Sequence, residues 1–299
     1  MNSTSTKWKR FLVGLILVVC LLAVSFAWLP GWIHTYGATE EEVQAVYPGD
    51  DILKMPIVAW THALNIAASP QEVWPWIAQI GDTKGGFYSY TFIENLIAGS
   101  DFYHNASRII PEFQNPQPGE EIIDTILPIK EVKTGEYLLA ATSDFMGLGW
   151  TWVWVLEPQA NDQTRLLIRM KIQAPPEMSS PIVMWIMDAG GFVMEKAMLR
   201  GLQERAEGRF MPSPIEPLEG FLWVVLLIIG FFGAWRFINW PKWQLPLATG
   251  LLAVIGLLVF TFIQPLNILR IVFVLGMFGV VWFNKNSDEK QGKKINKSQ

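Results

Sequence analysis

Residues 56–81 read PIVAWTHALNIAASPQEVWPWIAQIG, and two periodicities meet inside them. Val58, Trp60, His62, Leu64 and Ile66 alternate with Ala59, Thr61, Ala63 and Asn65, the period-2 pattern of a strand with one buried face. Ser69-Pro70-Gln71-Glu72 follows. It supplies an N-cap serine, a proline whose fixed φ suits the first helical position, and an acid in the first turn. The helix carries Val73, Trp74, Ile77 and Ile80 on its apolar side and stops at Gly81. A second helix is expected over residues 90–97.

After Pro118-Gly119 the pattern turns to strands, expected at 122–127, 129–133 and 137–142, then at 150–156 and 165–173 with residues 158–163 as a hairpin loop. Residues 180–209 read as one long helix. Ser179 or Ser180 caps it, Pro181 fits its first turn, and Ile182, Trp185, Ile186, Ala189, Phe192, Val193, Ala197 and Leu202 recur at helical spacing. Gly190-Gly191 is a point where it can loosen. The fold class is therefore α+β. The order predicts a helix-grip domain, a curved antiparallel sheet around a long C-terminal helix with a cavity between them.

Outside that domain the chain becomes strongly apolar. The whole is 51% hydrophobic, with 15 Trp and 18 Phe and only 17% charged, where a soluble domain carries about 25% charged residues. Residues 11–29 form an uninterrupted apolar run after Lys7, Lys9 and Arg10, about the 20 residues that cross a bilayer as a helix. The rival reading is a cleaved signal peptide with Ala23-Val24-Ser25 as its site, but the run is long for one and ends near Trp28 and Trp32, which suit an interface. Residues 221–238, 245–263 and 266–283 are three further runs, the last two joined tightly at Gln264-Pro265. Four transmembrane helices are thus expected.

Basic residues orient them. Lys7, Lys9 and Arg10 place the N-terminus in the cytoplasm, Arg236 and Lys242 mark an inner loop, and Lys285, Lys290, Lys293, Lys294 and Lys297 mark an inner tail. Residues 30–218 then lie outside the cytoplasm of a multi-pass cell-membrane protein. Arg270, a turn into the last span, is expected to snorkel to the outer interface rather than pair within the bundle. The expected domains are 1–34 for the N-terminus and first helix, 35–55 as a linker, 56–212 for the helix-grip domain, 218–284 for three helices and 285–299 for the basic tail.

The net charge of −4 and the lack of a basic stripe argue against a nucleic-acid partner. The single cysteine, Cys20, excludes intrachain disulfides, and Val19 before it is too large for a lipoprotein signal. His34, His62 and His104 lack the spacing of a zinc motif, so no metal or cofactor is expected. No nucleophile elbow, phosphate loop or dinucleotide fingerprint is present.

Residues 56–210 resemble the SRPBCC superfamily, which takes in START, Bet v 1-like and polyketide cyclase-like domains. The resemblance rests on Ala68-Ser69-Pro70-Gln71-Glu72-Val73-Trp74-Pro75-Trp76 and on the long closing helix. Gly85-Gly86-Phe87-Tyr88-Ser89-Tyr90, Glu94-Asn95-Leu96 and Thr164-Arg165-Leu166 are similar to a branch of bacterial members, some of them membrane-attached. The resemblance implies a cavity for a hydrophobic ligand; it does not imply one chemistry.

Candidate cavity residues follow from residue type and placement. Trp150, Trp152 and Trp154 share one face of a strand and serve either as a cavity wall or as core. Phe87, Tyr88 and Tyr90 follow a Gly-Gly pair that permits close backbone approach, either at a cavity lip or in a structural turn. Glu94 and Arg108 read as a structural ion pair before they read as an acid–base pair, and Trp74, Trp185 and Phe192 complete the set. The expected function is a membrane-tethered domain that binds a hydrophobic ligand, a lipid above all, at the outer face of the membrane. An enzyme acting on such a ligand and a structural subunit whose cavity is filled are the alternatives.

Overall fold

The computed structural model describes residues 3–99, 102–175, 180–210 and 215–296. The chain forms two compact units, one built from residues 28–212 and the other from residues 1–27 and 213–299.

The first unit holds β1 (Val58–Ile66), β2 (Glu121–Ile123), β3 (Leu127–Lys133), β4 (Tyr137–Phe145), β5 (Leu148–Gln159) and β6 (Gln163–Gln173). They form one antiparallel sheet in the order β1-β6-β5-β4-β3-β2. Between β1 and β2 come the expected short helices, here α3 (Pro70–Ala78) and α4 (Thr91–Ala98), and after β6 the long α5 (Pro181–Ala206). Ser180 caps α5, its Oγ accepting from Val183 N at 3.3 Å; Ser179 lies outside the described residues. Gly190-Gly191 does not interrupt the helix.

Strand boundaries differ from the expectation where turns intrude. The strand expected at 122–127 ends at Ile123, because Thr125 takes a left-handed φ of 60°. Asp82 Oδ2 and Glu121 Oε2 accept from the amides of Asp124 and Thr125 and hold that turn, so Leu127 opens β3 instead. The β5–β6 hairpin is also tighter than expected. Gln159 pairs with Gln163, and left-handed Asn161 and Asp162 make the reversal.

Alternation sorts the sheet into two faces. Trp60, Trp152, Trp154, Ile168 and Met170 point to the face on which α5 brings Met198, Leu199 and Leu202, and these residues form the main core. Ala63, Leu139, Val153 and Leu167 point to the other face, where Tyr47 covers them. The stretch read as a linker, residues 35–55, thus does more than link. It contains α2 (Glu40–Gln44), and His34 O and Tyr36 O accept from Thr61 N and Ala63 N along the free edge of β1. Glu42 pairs with Arg165 at 2.7 Å, while Asp50 pairs with Arg169 at 3.0 Å and Lys171 at 2.7 Å. Covering an edge strand in this way removes a pairing template.

The second unit contains the apolar helices. Three stretches, not four, are long and apolar enough to cross a bilayer among the described residues: Thr4–Ile33, Pro217–Asn239 and Gln244–Ile263. The fourth expected span corrects to a shorter apolar stretch, Asn267–Val281, in α8 (Asn267–Asn296). At ~1.5 Å per residue that stretch reaches about 22 Å, short of the ~30 Å hydrocarbon core, before the helix turns polar. The side chains of the basic tail lie outside the described residues. Within this unit α6 (Ile215–Asn239) and α7 (Gln244–Leu258) approach closely, since a Cβ on Gly233 would sit 2.9 Å from Gly250 N. Arg270 does not snorkel. It is buried, lies 3.0 Å from Glu219, and donates from Nε to Pro265 O at 2.9 Å. A buried guanidinium needs a partner more than it needs the interface.

Candidate functional site

Between the sheet and α5 lies a cavity of about 510 Å³, within the range of small-molecule sites. Its sheet wall is made by Trp60 of β1, Trp150 and Trp152 of β5, and Met170 and Ile172 of β6. Strand register explains this. Trp60, Met170 and Trp152 are successive partners across β1, β6 and β5, so their side chains form one row. The helix wall is Met187, Gly191, Met194, Glu195 and Met198 of α5, with Phe87, Ser89, Glu94, Tyr103 and Ile123 closing the remaining sides. Methionines suit a wall that must adapt to an irregular guest. Gly191 is required by contact. A Cβ there would lie 2.9 Å from Trp60 Cη2, so only glycine lets the indole reach the helix.

Some expected residues meet here and others do not. Phe87, Glu94, Trp150 and Trp152 line the cavity. Phe87 stacks on Trp152 at 6.0 Å, and Trp150 and Trp154 flank Trp152 at 5.8 and 4.5 Å. Trp154 and Trp74 belong to the packed core. Tyr88 is also core, its hydroxyl donating to Trp76 O at 3.1 Å, and burial raises its pKa. Tyr90 lies beside Arg200 at 5.8 Å. Arg108 is exposed and outside the lining, as are the half-buried Trp185 and the buried Phe192. The Gly-Gly pair does bring backbone close, but to the protein itself. A Cβ on Gly86 would lie 2.2 Å from His104 O. Asn105 ties that contact down, accepting from Tyr88 N at 2.6 Å and donating to Ser89 O at 2.7 Å.

The most polar feature of the site was not among the candidates. Glu195, 2% exposed, places Oε1 2.5 Å from Nδ1 of His62, which is 0% exposed. His62 Nε2 lies 2.5 Å from Ile33 O. Trp60 stacks parallel to the imidazole at 6.0 Å, and Tyr36 and Phe192 meet it edge-on at 6.3 and 5.6 Å. The sequence did carry a signal. Glu195 falls on the apolar stripe of α5, three residues after Phe192 and four before Leu199, where a solvated acid has no place. Its partner lies 133 residues away, and no local spacing could name it.

Several buried polar atoms of this region have no partner among the described residues: Glu195 Oε2 and the indole Nε1 of Trp60, Trp150 and Trp152, all on lining residues. Buried indole N–H groups and carboxylate oxygens ordinarily find partners, so such a set calls for an explanation. Across the helix, Lys196 stands over the rings of Trp32, Tyr36 and Phe192 at 5.0, 4.4 and 5.7 Å. Burial, and then the charge of Arg200, lowers its pKa to about 8. Among the described residues no group of His, Cys, Asp and Glu is arranged to hold a metal ion.

No family model matches the sequence, and no curated protein matches it. Solved structures do. A conserved protein of unknown function from Enterococcus faecalis is 18% identical over 50% of this chain and 71% of its own, with a TM-score of 0.26. A START superfamily protein from Mycobacterium smegmatis is 9% identical over 51% and 99%, with a TM-score of 0.31. Truncated norcoclaurine synthase from Thalictrum flavum is 15% identical over 49% and 91%, with a TM-score of 0.30. At these identities and TM-scores the likenesses carry no argument about the chemistry of this chain. By its strand order and its closing helix, the unit of residues 28–212 is an α+β domain in which a six-stranded antiparallel sheet and the long α5 enclose a cavity.

Proposed function

We propose that this chain is a membrane-tethered helix-grip domain that binds an apolar ligand, a membrane lipid above all, in the cavity between sheet and α5. The observation that carries the reading is the cavity itself, about 510 Å³ and walled by three tryptophans and four methionines. Burying apolar ligand surface there contributes about 25 cal/mol per Å² before the costs of binding. The apolar helices supply the tether, which raises the local concentration of the domain at a bilayer without new contacts. Lys7, Lys9 and Arg10 in the first turns of the first helix favour a cytoplasmic N-terminus and hence a domain at the outer face.

One observation favours the second reading, an enzyme acting on the same ligand. A buried carboxylate and imidazole in contact at a cavity wall can move a proton. The two readings separate on a single experiment. The full chain is released from its membrane under native mass-spectrometric conditions that strip loosely held lipid, and the retained molecule is extracted and identified. One unmodified apolar molecule per chain supports a carrier or sensor. A chemically altered partner that accumulates with time supports the enzyme. A folded chain that retains nothing refutes both.

A further inference from the structure

Glu195 lines the cavity, and among the described residues only one of its carboxyl oxygens has a partner. His62 Nε2 faces a backbone carbonyl, which only accepts, so Nε2 carries a hydrogen; this assigns the tautomer from its partner. The 2.5 Å contact between Nδ1 and Oε1 then holds one proton, on nitrogen as an imidazolium–carboxylate pair or on oxygen as an imidazole–acid pair. Oε2 has no hydrogen in either arrangement, so it can only accept. A buried acceptor left without a donor is costly.

A donor in the same condition belongs to the same cavity lining. Trp60, 3% exposed, stacks on His62 and packs against Gly191, one helical turn before Glu195 on α5. Among the described residues its Nε1 has no acceptor, and neither has that of Trp152, 6% exposed on the same wall. An accept-only oxygen and donate-only nitrogens on residues that line an apolar cavity match a group that both donates and accepts. A hydroxyl does both. An ammonium offers the indoles nothing and brings net charge to a carboxyl group already balanced by His62. A carboxylate meets Glu195 as a second acceptor.

We propose that the cavity selects an apolar molecule bearing an alcohol or phenol hydroxyl, which donates to Glu195 Oε2 and accepts from Trp60 Nε1. The inference rests on the reading of the cavity as a ligand site, and its test separates the two. Saturable binding of 2-naphthol, 2-methoxynaphthalene and naphthalene to the full chain in lipid nanodiscs is measured by equilibrium dialysis against empty nanodiscs. The expected result is 2-naphthol bound about tenfold or more tightly than either analogue. Glu195→Gln keeps that preference, because its amide donates to Nδ1 and leaves a carbonyl oxygen for the ligand. Glu195→Met brings the ratio to near one. Equal affinities for all three probes in the wild type overturn hydroxyl selection and leave the cavity reading standing, whether or not the Met variant folds. A preference that survives Glu195→Met overturns the role of Glu195. No saturable binding of any probe overturns the cavity reading together with the inference.

Discussion

Three glycines on α5 meet three different surroundings, and the same substitution at each has a different expected sign. A Cβ on Gly190 finds nothing within 4 Å. Gly190→Ala therefore removes only the entropic cost of glycine in a helix and stabilises by about 0.5–1 kcal/mol. A Cβ on Gly201 would lie 2.2 Å from Tyr88 O and 2.9 Å from Tyr88 Cβ. The nearer obstacle is backbone, held by the bond from Tyr88 N to Asn105 at a left-handed φ of 56°. The helix and that loop must part by about 1 Å, and overpacking of this kind costs about 1–3 kcal/mol or more. Set against the same helical gain, Gly201→Ala is a net loss of about 1–2 kcal/mol. For a unit of this size ~1 kcal/mol moves Tm by about 2–4 °C. Thermal unfolding of the full chain in nanodiscs, followed by tryptophan fluorescence, should show Gly190→Ala raising Tm by about 1–4 °C and Gly201→Ala lowering it by about 2–8 °C. Gly191→Ala is intermediate, because it presses on Trp60, whose retreat narrows the cavity; it should weaken 2-naphthol binding at little change in Tm. Equal rises at Gly190 and Gly201 would refute the packing of α5 on the 85–90 loop.

Trp152→Ala distinguishes a cavity wall from a filled core: we expect probe affinity to fall at least tenfold with a stability loss below the ~3–5 kcal/mol of a fully packed aromatic, and the reverse pattern contradicts a cavity. Lys196 gives a pH signature. Its folded pKa of about 8 lies below the unfolded ~10.4, so the unfolded chain binds more protons between them, and stability should rise from about pH 8 to pH 10. The rise should vanish in Lys196→Met, and a wild-type chain that loses stability relative to that variant across the window contradicts the burial of Lys196. In the helical unit, Glu219→Leu or Arg270→Met alone should cost about 3–5 kcal/mol by stranding a buried charge, while the double variant recovers most of it. Additive losses in a detergent-titration cycle would count against that pair.

How far the sequence reached depends on whether a feature is local. The strand-to-helix passage around Ser69 was legible because alternation, cap and proline all point the same way, and the α5 stripe was legible because its period runs the length of the helix. The shared face of Trp150 and Trp152 followed from pleating alone. Trp154 shares that face yet belongs to the packed core, because periodicity gives direction and not the height of the cavity floor. Residues 35–55 read as a linker because the partner of Glu42, Arg165, comes only with β6, far along the chain. The fourth span was over-read for a similar reason: a run of apolar letters ends where its residues end, whereas α8 continues past them as a polar helix. The pair of His62 and Glu195 was missed because each residue has an ordinary neighbourhood in sequence and an unusual one in space.

The central claim is that an apolar molecule enters the cavity between sheet and α5, and photolabelling tests it most directly. A long-chain alcohol carrying a diazirine is equilibrated with membranes containing the full chain, activated by light, and its adducts are mapped by peptide mass spectrometry. The account predicts labels on Met187, Met194 or Met198 and on Trp152, lost when Met194→Trp fills the space. Labels confined to the helices Thr4–Ile33, Pro217–Asn239 and Gln244–Ile263, with the cavity residues unmarked, would contradict it.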